Sequence, residues 1–434
     1  MVRVFSTKDA EFTSEFRSFL AEPRGNASDT RDVVTEILGA VQARGGEAVA
    51  EYTQRFDRFK VDTDTLTNPV MMLSKLAEAC PTPVRDAIDF AHQRIVQYHE
   101  AQRPEDHSFE DGHGLTLGWR WTAVDSVGVY VPGGRANYPS SVLMNTVPAK
   151  VAGVKRIVMV APTPDGVLSP AVAYAALKAG VQEYYPIGGA QAVGALTFGA
   201  GDLLPVDKIV GPGNAFVAEA KRQVFGKVGI DTIAGPSEVC IISDGSAPAS
   251  WIAADLLSQA EHDPSSQSIL ISVHPEHSEA VLAEVERQLG ELATAETARA
   301  AWTAHGAIIL AQNLDEACRI ANQIAPEHLE LAIEDPEASL PFVRHAGAVF
   351  LGAWAPEALG DYVTGSNHVL PTSGAARFSS GLGVFDFMKR MSVQSATEDG
   401  FRHLAGAAMS LAQSEHLPAH QRSVSIRFGK ETET

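Results

Sequence analysis

From about Val127 onward the chain alternates short β-rich runs, each closed by Gly or Pro, with stretches of helical periodicity, and this alternation constrains the fold more than any other feature. Val127–Val131 precedes Pro-Gly-Gly, Arg156–Val160 precedes Ala-Pro-Thr-Pro, Glu183–Ile187 precedes Gly-Gly-Ala-Gln, and Lys208–Val210 precedes Gly-Pro-Gly-Asn. A second set follows at Glu238–Ser243, Ser268–Ser272, Ala307–Leu310, Leu329–Ile333 and Ala348–Leu351. Strands that alternate with helices must lie parallel and be joined by crossovers, so each set predicts an α/β unit. Ahead of them, residues 8–20 and 28–56 read as amphipathic helices, with Val33, Val34, Ile37, Leu38 and Val41 at helical spacing. After Gly381 the pattern is polar and helical through Phe401–Leu411.

A chain of 434 residues exceeds what one core of roughly 250–300 residues holds, so two domains are expected. The fold class is α/β: two Rossmann-like domains with partly parallel sheets, plus small helical N- and C-terminal segments. The expected boundaries are a helical arm over 1–25, an α/β domain built from 26–130 and 237–380, an inserted Rossmann-like domain over 131–236, and a helical segment over 381–434.

Composition narrows the function classes. Apolar residues make up 45% and charged residues 20% of the chain, values ordinary for globular proteins. No run reaches the ~20 apolar residues of a membrane span, and Met1-Val2-Arg3-Val4-Phe5 leads into polar sequence, so a cytoplasmic location is expected. A formal charge of −19 repels nucleic acid and acidic membranes, and a neutral or cationic small substrate suits it better. Cys80, Cys240 and Cys318 are far apart and form no CxxC, which points to reduced thiols in ordinary packing.

Several segments carry candidate chemistry, each with a plain structural alternative. The turns Gly188-Gly189-Ala190-Gln191 and Gly211-Pro212-Gly213-Asn214 follow apparent strands and precede helices; they serve equally as tight βα turns or as a cradle for a nucleotide, although no segment matches GxGxxG. Gln259 and His262, three apart on an apparent helix, are a surface pair or two metal ligands. Glu327 and His328 are a solvated pair or an acid–base couple, and both serve one site only if the backbone turns there. Gly360-Asp361-Tyr362, Gly365-Ser366-Asn367-His368 and Glu415-His416-Leu417-Pro418-Ala419-His420 add polar loop residues of the same kinds.

Taken in order, Gly128–Pro148 (GVYVPGGRANYPSSVLMNTVP), Gly211–Val224, Ile233–Glu238 (IAGPSE), Asp255–His262 (DLLSQAEH), Pro326–Leu329, Gly360–Thr372 (GDYVTGSNHVLPT), Arg377–Lys389 (RFSSGLGVFDFMK) and Glu415–His420 closely resemble the histidinol dehydrogenase family over nearly the whole chain. The first ~120 residues are the least distinctive part of that resemblance. It implies a zinc- and NAD-dependent, four-electron oxidation of L-histidinol through L-histidinaldehyde to L-histidine, the last steps of histidine biosynthesis.

The resemblance further implies one zinc ion per subunit held by Gln259, His262, Asp361 and His420, with His420 supplied by the neighbouring subunit of an intertwined homodimer with shared active sites. Two imidazoles, a carboxylate and an amide oxygen suit such an ion. By the same resemblance Glu327 and His328 form the acid–base pair. Ser237, His368 and Glu415, with the ligand residues and His328, hold the substrate, and Tyr130, Gln191 and Asn214 contact NAD. The family binds NAD without the usual glycine fingerprint.

The nearest rival is a relative acting on another polar alcohol such as a sulfonated diol; Glu415 speaks against it, because a carboxylate pairs with a cation and repels a sulfonate. A zinc hydrolase, in which Glu327 activates a metal-bound water, leaves both glycine turns without a role. A non-catalytic binding protein on the same fold leaves the filled acid, base and ligand positions unexplained. A thiol mechanism needs an activated cysteine, and none of the three lies in a matching segment.

Overall fold

The computed structural model describes residues 2–24, 30–66, 70–133, 138–233 and 235–429. The expected boundary at residues 25/26, residues 134–137 of the first glycine-rich segment and Ala234 lie outside the described residues. Fourteen strands are found among those described. In chain order they are β1 (Arg3–Ser6), β2 (His107–Glu110), β3 (Leu115–Ala123), β4 (Ser126–Tyr130), β5 (Arg156–Val160), β6 (Glu183–Tyr185) and β7 (Lys208–Val210). They continue with β8 (Gly229–Ile230), β9 (Glu238–Ser243), β10 (Gln267–Ser272), β11 (Ala307–Leu310), β12 (His328–Ala332), β13 (Ala348–Leu351) and β14 (Met388–Ala396).

The chain divides into two compact units, Met1–Gln102 with Val124–Phe387, and Arg103–Ala123 with Met388–Thr434. The larger unit holds two parallel sheets. One has the order β6-β5-β4-β7-β8, the other β1-β11-β10-β9-β12-β13. Both are α/β Rossmann-like arrangements, as the alternating runs require.

The strands of the six-stranded sheet are apolar on both faces because helices cover both. Cys240, Ile242, Ile269, Ile271, Leu329 and Leu331 pack with Phe16 and Phe19 of the helix Phe12–Ala21 and with the helix Leu314–Ile324. The alternate residues Val239, Ile241, Leu270 and Ile308 pack against helices Ala249–Ala260, Pro275–Leu289 and Ala295–His305, with Trp302 at the centre. This two-residue period is what a strand imposes.

Three expectations are corrected. The helical arm over 1–25 begins with a strand: β1 pairs parallel with β11, and Phe5 is buried against Phe16 and Phe19, with ring centroids 6.3 and 5.5 Å away. Four residues are too few for a periodic signal.

Second, residues 31–57 and 126–130 belong by packing to the five-stranded sheet, not to the domain expected over 26–130 and 237–380. Val34, Ile37, Leu38, Val41, Val49 and Tyr52 share one core with Val158, Val160, Ile187 and Ile209, and β4 is that sheet's central strand. An amphipathic helix declares that it buries a face, but not against which sheet.

Third, the segment 381–434 is not helical throughout. In the smaller unit, β14 pairs antiparallel with β3 from Met388↔Ala123 to Ala396↔Leu115, and the sheet order is β14-β3-β2. Its residues are mostly exposed, so no apolar alternation marked it. Helices Glu398–Ser414 and Pro418–Ser425 follow.

Candidate active site

The six-stranded sheet changes direction between β9 and β12: β9 leads through β10 to β11 on one side, and β12 leads to β13 on the other. Parallel α/β sheets ordinarily bind ligands at the carboxyl ends of such a pair. Here the chemistry-bearing residues gather at the amino ends, where Glu238 opens β9 and His328 opens β12.

The helix Leu314–Ile324 ends in Ala325 at φ 52, a left-handed turn that redirects the chain into Pro326 and Glu327. This turn supplies the condition under which adjacent residues serve one site. Glu238 donates its backbone N–H to Glu327 Oε2 at 2.9 Å, and His328 Nδ1 donates to the Glu238 carbonyl at 2.9 Å. The Glu327 carboxyl and the His328 ring then lie 3.8 Å apart, both buried.

Because a carbonyl only accepts, its bond fixes the proton on Nδ1 and leaves Nε2 as the basic atom. Nε2 is buried without a hydrogen-bond partner, 3.7 Å from Asp361 Oδ1. Burial lowers the His328 pKa to about 4, so the ring is neutral and its Nε2 unprotonated. Burial likewise holds Glu327 well above the usual carboxylate range, helped by the charges of Glu238 and Asp361.

The short helix Glu357–Tyr362 brings Glu357 and Asp361, four residues apart, onto the face towards His328. Glu357 Oε2 lies 3.9 Å from His328 Nδ1, and its own N–H donates to Glu330 Oε1 at 2.7 Å. Burial raises the pKa of Glu357 well above the ordinary range and that of Asp361 to about 6. Gln259, fully buried on the helix Ala249–Ala260, meets Glu357: with its amide nitrogen turned to the carboxylate it donates at 2.8 and 3.3 Å.

His262 lies just past that helix and keeps the three-residue spacing through its N–H to the Gln259 carbonyl at 3.3 Å. The residue as a whole is exposed, yet loss of hydration around the ring lowers its pKa. It is near enough to push the pKa of His328 and His368 down as well. His368 donates Nδ1–H to the Asp361 carbonyl at 2.9 Å and has Nε2 3.5 Å from Ser141 Oγ; burial takes its pKa to about 4. Ser237 stands one residue before Glu238, half-buried.

Ligand atoms of His328, Glu357 and Asp361 all lie within 4.8 Å of one another. This group shares Asp361 with the ligand set expected from sequence, touches Gln259 through Glu357, and has His262 in electrostatic reach. Crowded carboxyls whose charged forms burial disfavours, beside an amide and an unpartnered imidazole nitrogen, are a donor set that a divalent cation would satisfy. Glu415 and His420 belong to the smaller unit, where both are exposed; Glu415 caps the helix Glu398–Ser414, and His420 lies in Pro418–Ser425.

Sequence reasoning missed Glu357, Glu330, Glu238 and Arg24. The i, i+4 spacing of Glu357 and Asp361 was a readable signal, and Glu238 ends the IAGPSE segment; Arg24 carried no signal.

The expected cofactor residues lie on the five-stranded sheet. Its direction changes between β4 and β7, and Tyr130 ends the first while Gly211 follows the second, so these residues do occupy the carboxyl ends of a switch pair. Gly211 has φ +114, and a Cβ there would stand 2.1 Å from the Tyr130 carbonyl oxygen, so the two turns approach more closely than any side chain permits. The Tyr130 hydroxyl accepts the Gly189 N–H at 3.0 Å, and burial takes its pKa to about 12. Gln191 is buried with its Oε1 unpartnered. Asn214 caps the helix Ala215–Val224 by accepting from Phe216 and Val217, which leaves its amide N–H groups free. An unpartnered amide oxygen and a capped helix N-terminus at a switch point suit a dinucleotide.

All three cysteines are buried, and burial raises the pKa of Cys240 and Cys318, so neither offers a thiolate.

A sequence profile described as histidinol dehydrogenase matches residues 20–428. The histidinol dehydrogenase of Caulobacter vibrioides is 52% identical over 427 residues, covering 98% of this chain and 99% of that protein. Histidinol dehydrogenase 1 of a Nostoc species is 49% identical over 425 residues, 98% of each. The crystal structure of histidinol dehydrogenase from Elizabethkingia anophelis superposes with a TM-score of 0.94 at 33% identity, covering 99% of this chain and 98% of that one.

Proposed function

The chain belongs to the histidinol dehydrogenase family, and on that premise we propose that it oxidises L-histidinol through L-histidinaldehyde to L-histidine with two molecules of NAD and one zinc ion per subunit, closing histidine biosynthesis in the cytoplasm. The observation that carries this reading is the pair at the start of β12: a neutral imidazole with its basic nitrogen free, beside a carboxyl of raised pKa, around one backbone unit.

Bound NAD would accept a hydride in each oxidation. A zinc ion held by Gln259, His262 and Asp361, with His420 of the smaller unit coming from a second subunit, would supply positive charge that fixes substrate nitrogens. The remaining chemistry falls to side chains. His328 Nε2 takes the hydroxyl proton as the alcohol carbon loses its hydride. Glu327 then takes a proton from the water that attacks the aldehyde while protonated His328 returns its proton to the carbonyl oxygen, giving a hydrate and a neutral imidazole, and His328 takes the hydrate's hydroxyl proton as the second hydride departs. Ser237, His368 and Glu415 orient the substrate, and Tyr130, Gln191 and Asn214 hold the cofactor. Among the described residues no helix is long and apolar enough to cross a membrane.

The deciding experiment counts NADH formed per L-histidinol consumed by zinc-loaded protein, with the product identified. Two NADH and L-histidine, abolished by a chelator, are expected. NADH from a sulfonated diol but not from histidinol would overturn the substrate assignment.

A further inference from the structure

Glu238 holds the side chains of both members of the acid–base pair with its main chain. Its N–H donates to Glu327 Oε2 at 2.9 Å, and its carbonyl accepts from His328 Nδ1 at 2.9 Å. A displacement of this one residue's main chain therefore moves the carboxyl and the imidazole together. The register explains why the position is sensitive: His328 pairs with Val239, so Glu238 and Glu327 stand side by side where the ladder between β9 and β12 runs out. Backbone groups at such an end need partners from elsewhere.

Side chains provide them. The Glu238 carboxylate accepts the Glu327 N–H at 3.3 Å, the reciprocal of the bond Glu327 accepts from Glu238. It also accepts the Ser373 N–H at 3.0 Å and an ion-paired hydrogen bond from Arg24. The Arg24 side chain is 12% exposed and that of Glu238 4%, so each is nearly dry. A buried carboxylate without its cation is strongly unfavourable, and removing Arg24 would let Glu238 swing towards water and take its peptide with it. Arg24 comes from the segment after the first helix, far in sequence from both strands.

We infer that Glu238, clamped by Arg24, is the positioning residue for both oxidations, its peptide N–H aiming Glu327 and its carbonyl fixing the tautomer and ring orientation of His328. This rests on the proposed reaction for what the two groups do, but the geometry of the clamp does not depend on it. Partners that orient a catalytic group from behind are worth about 10–100-fold in activity. Glu327→Gln should slow the aldehyde step far more than the alcohol step, whereas loss of the clamp should slow both alike.

The test compares wild type with Arg24→Ala, Arg24→Lys, Glu238→Gln and the Arg24→Ala, Glu238→Gln double variant, measuring kcat and KM separately with L-histidinol and L-histidinaldehyde, together with zinc content and the unfolding midpoint. Arg24→Ala is expected to lower kcat about 10–100-fold with both substrates, at unchanged KM and zinc content. Arg24→Lys should restore most of the loss, and the double variant should be no worse than the poorer single one, since both break one clamp.

A spectrum of protein labelled with 15N-histidine reads the His328 tautomer without turnover. The Nδ1–H signal should be lost or exchange-broadened in Arg24→Ala. Unchanged kcat, loss confined to one substrate, loss that follows the unfolded fraction, or an unaltered His328 signal would each overturn the inference. Wild type that forms no NADH from histidinol would instead refute the proposed reaction and leave the spectral arm to judge the clamp.

Discussion

Removing one charge beneath the Gly211 turn should cost more than most core truncations. Lys221 and Asp231 form an ion pair with each side chain 2% exposed, and between them they hold both backbone groups of Gly211: Lys221 Nζ donates to its carbonyl at 3.0 Å, and its N–H donates to Asp231 Oδ2 at 2.7 Å. Lys221→Met keeps the aliphatic stem and deletes the charge. Asp231 is then buried with the Gly211 N–H as its remaining bond from this trio, and the Gly211 carbonyl loses its ammonium donor. Breaking a buried pair from one side costs about 3–5 kcal/mol, because the surviving charge has no compensation. The neighbouring contact with the Tyr130 carbonyl gives Gly211 little room to relax. A loss of about 4 kcal/mol is expected, read by urea unfolding, with NAD affinity falling at least tenfold by fluorescence titration. Asp231→Asn added to Lys221→Met removes the second charge and should recover about 2 kcal/mol, since replacing both partners is often close to neutral. A single variant that loses under about 1 kcal/mol, or a double variant that recovers nothing, would refute the claim that an uncompensated charge is the source.

Other outcomes are equally checkable. Asp255 and Glu330 share a hydrogen bond within the larger unit, and burial raises Asp255 to about 6 and Glu330 well above its ordinary value. Groups raised on folding contribute stability that is full below their unfolded values of about 4 and is lost as pH rises through the folded ones, so the urea midpoint should fall between pH 4 and 7. Asp255→Asn should flatten that slope, and an unchanged slope would exclude the pair as its origin. Gly211→Ala places a Cβ 2.1 Å from the Tyr130 oxygen at φ +114 and should abolish measurable NAD binding while histidinol-independent zinc uptake persists. Iodoacetamide should leave the native protein unmodified and fully active, because Cys80, Cys240 and Cys318 are all buried; rapid labelling with loss of activity would reopen a thiol route.

Much of the fold was legible because local rules are strong where burial is two-sided. The runs Arg156–Val160, Lys208–Val210, Glu238–Ser243 and Ala307–Leu310 are strands at the bounds read from sequence, since a strand covered by helices on both faces must be apolar nearly throughout, and the edge strand Ala348–Leu351 keeps its bounds as well. Residues at Gly211 and Gly188 were legible for a different reason: a Cβ at Gly188 would stand 2.3 Å from Pro162 Cβ, so glycine marks close approach of two turns. By contrast β14 escaped notice because its side chains face water and leave no apolar alternation, and β1 because four residues carry no period.

What the sequence by itself determined was the inventory: parallel α/β architecture, glycine turns after strands, cysteines outside the segments that resemble the family, and the Glu327, His328 and Asp361 side chains for which we propose the chemistry. Tertiary structure decided which sheet received the helices Arg31–Arg44 and Gly46–Asp57, and it placed Glu238, Glu327 and His328 at the amino ends of β9 and β12. It also decided their character. Parallel strands meet neighbours far away in sequence, so Glu238 reaches Glu327 and Arg24 reaches Glu238 only once the sheet has formed. Burial then strips water from these groups, lowering the pKa of one histidine and raising that of one glutamate, a distinction that no residue type carries in its own letter.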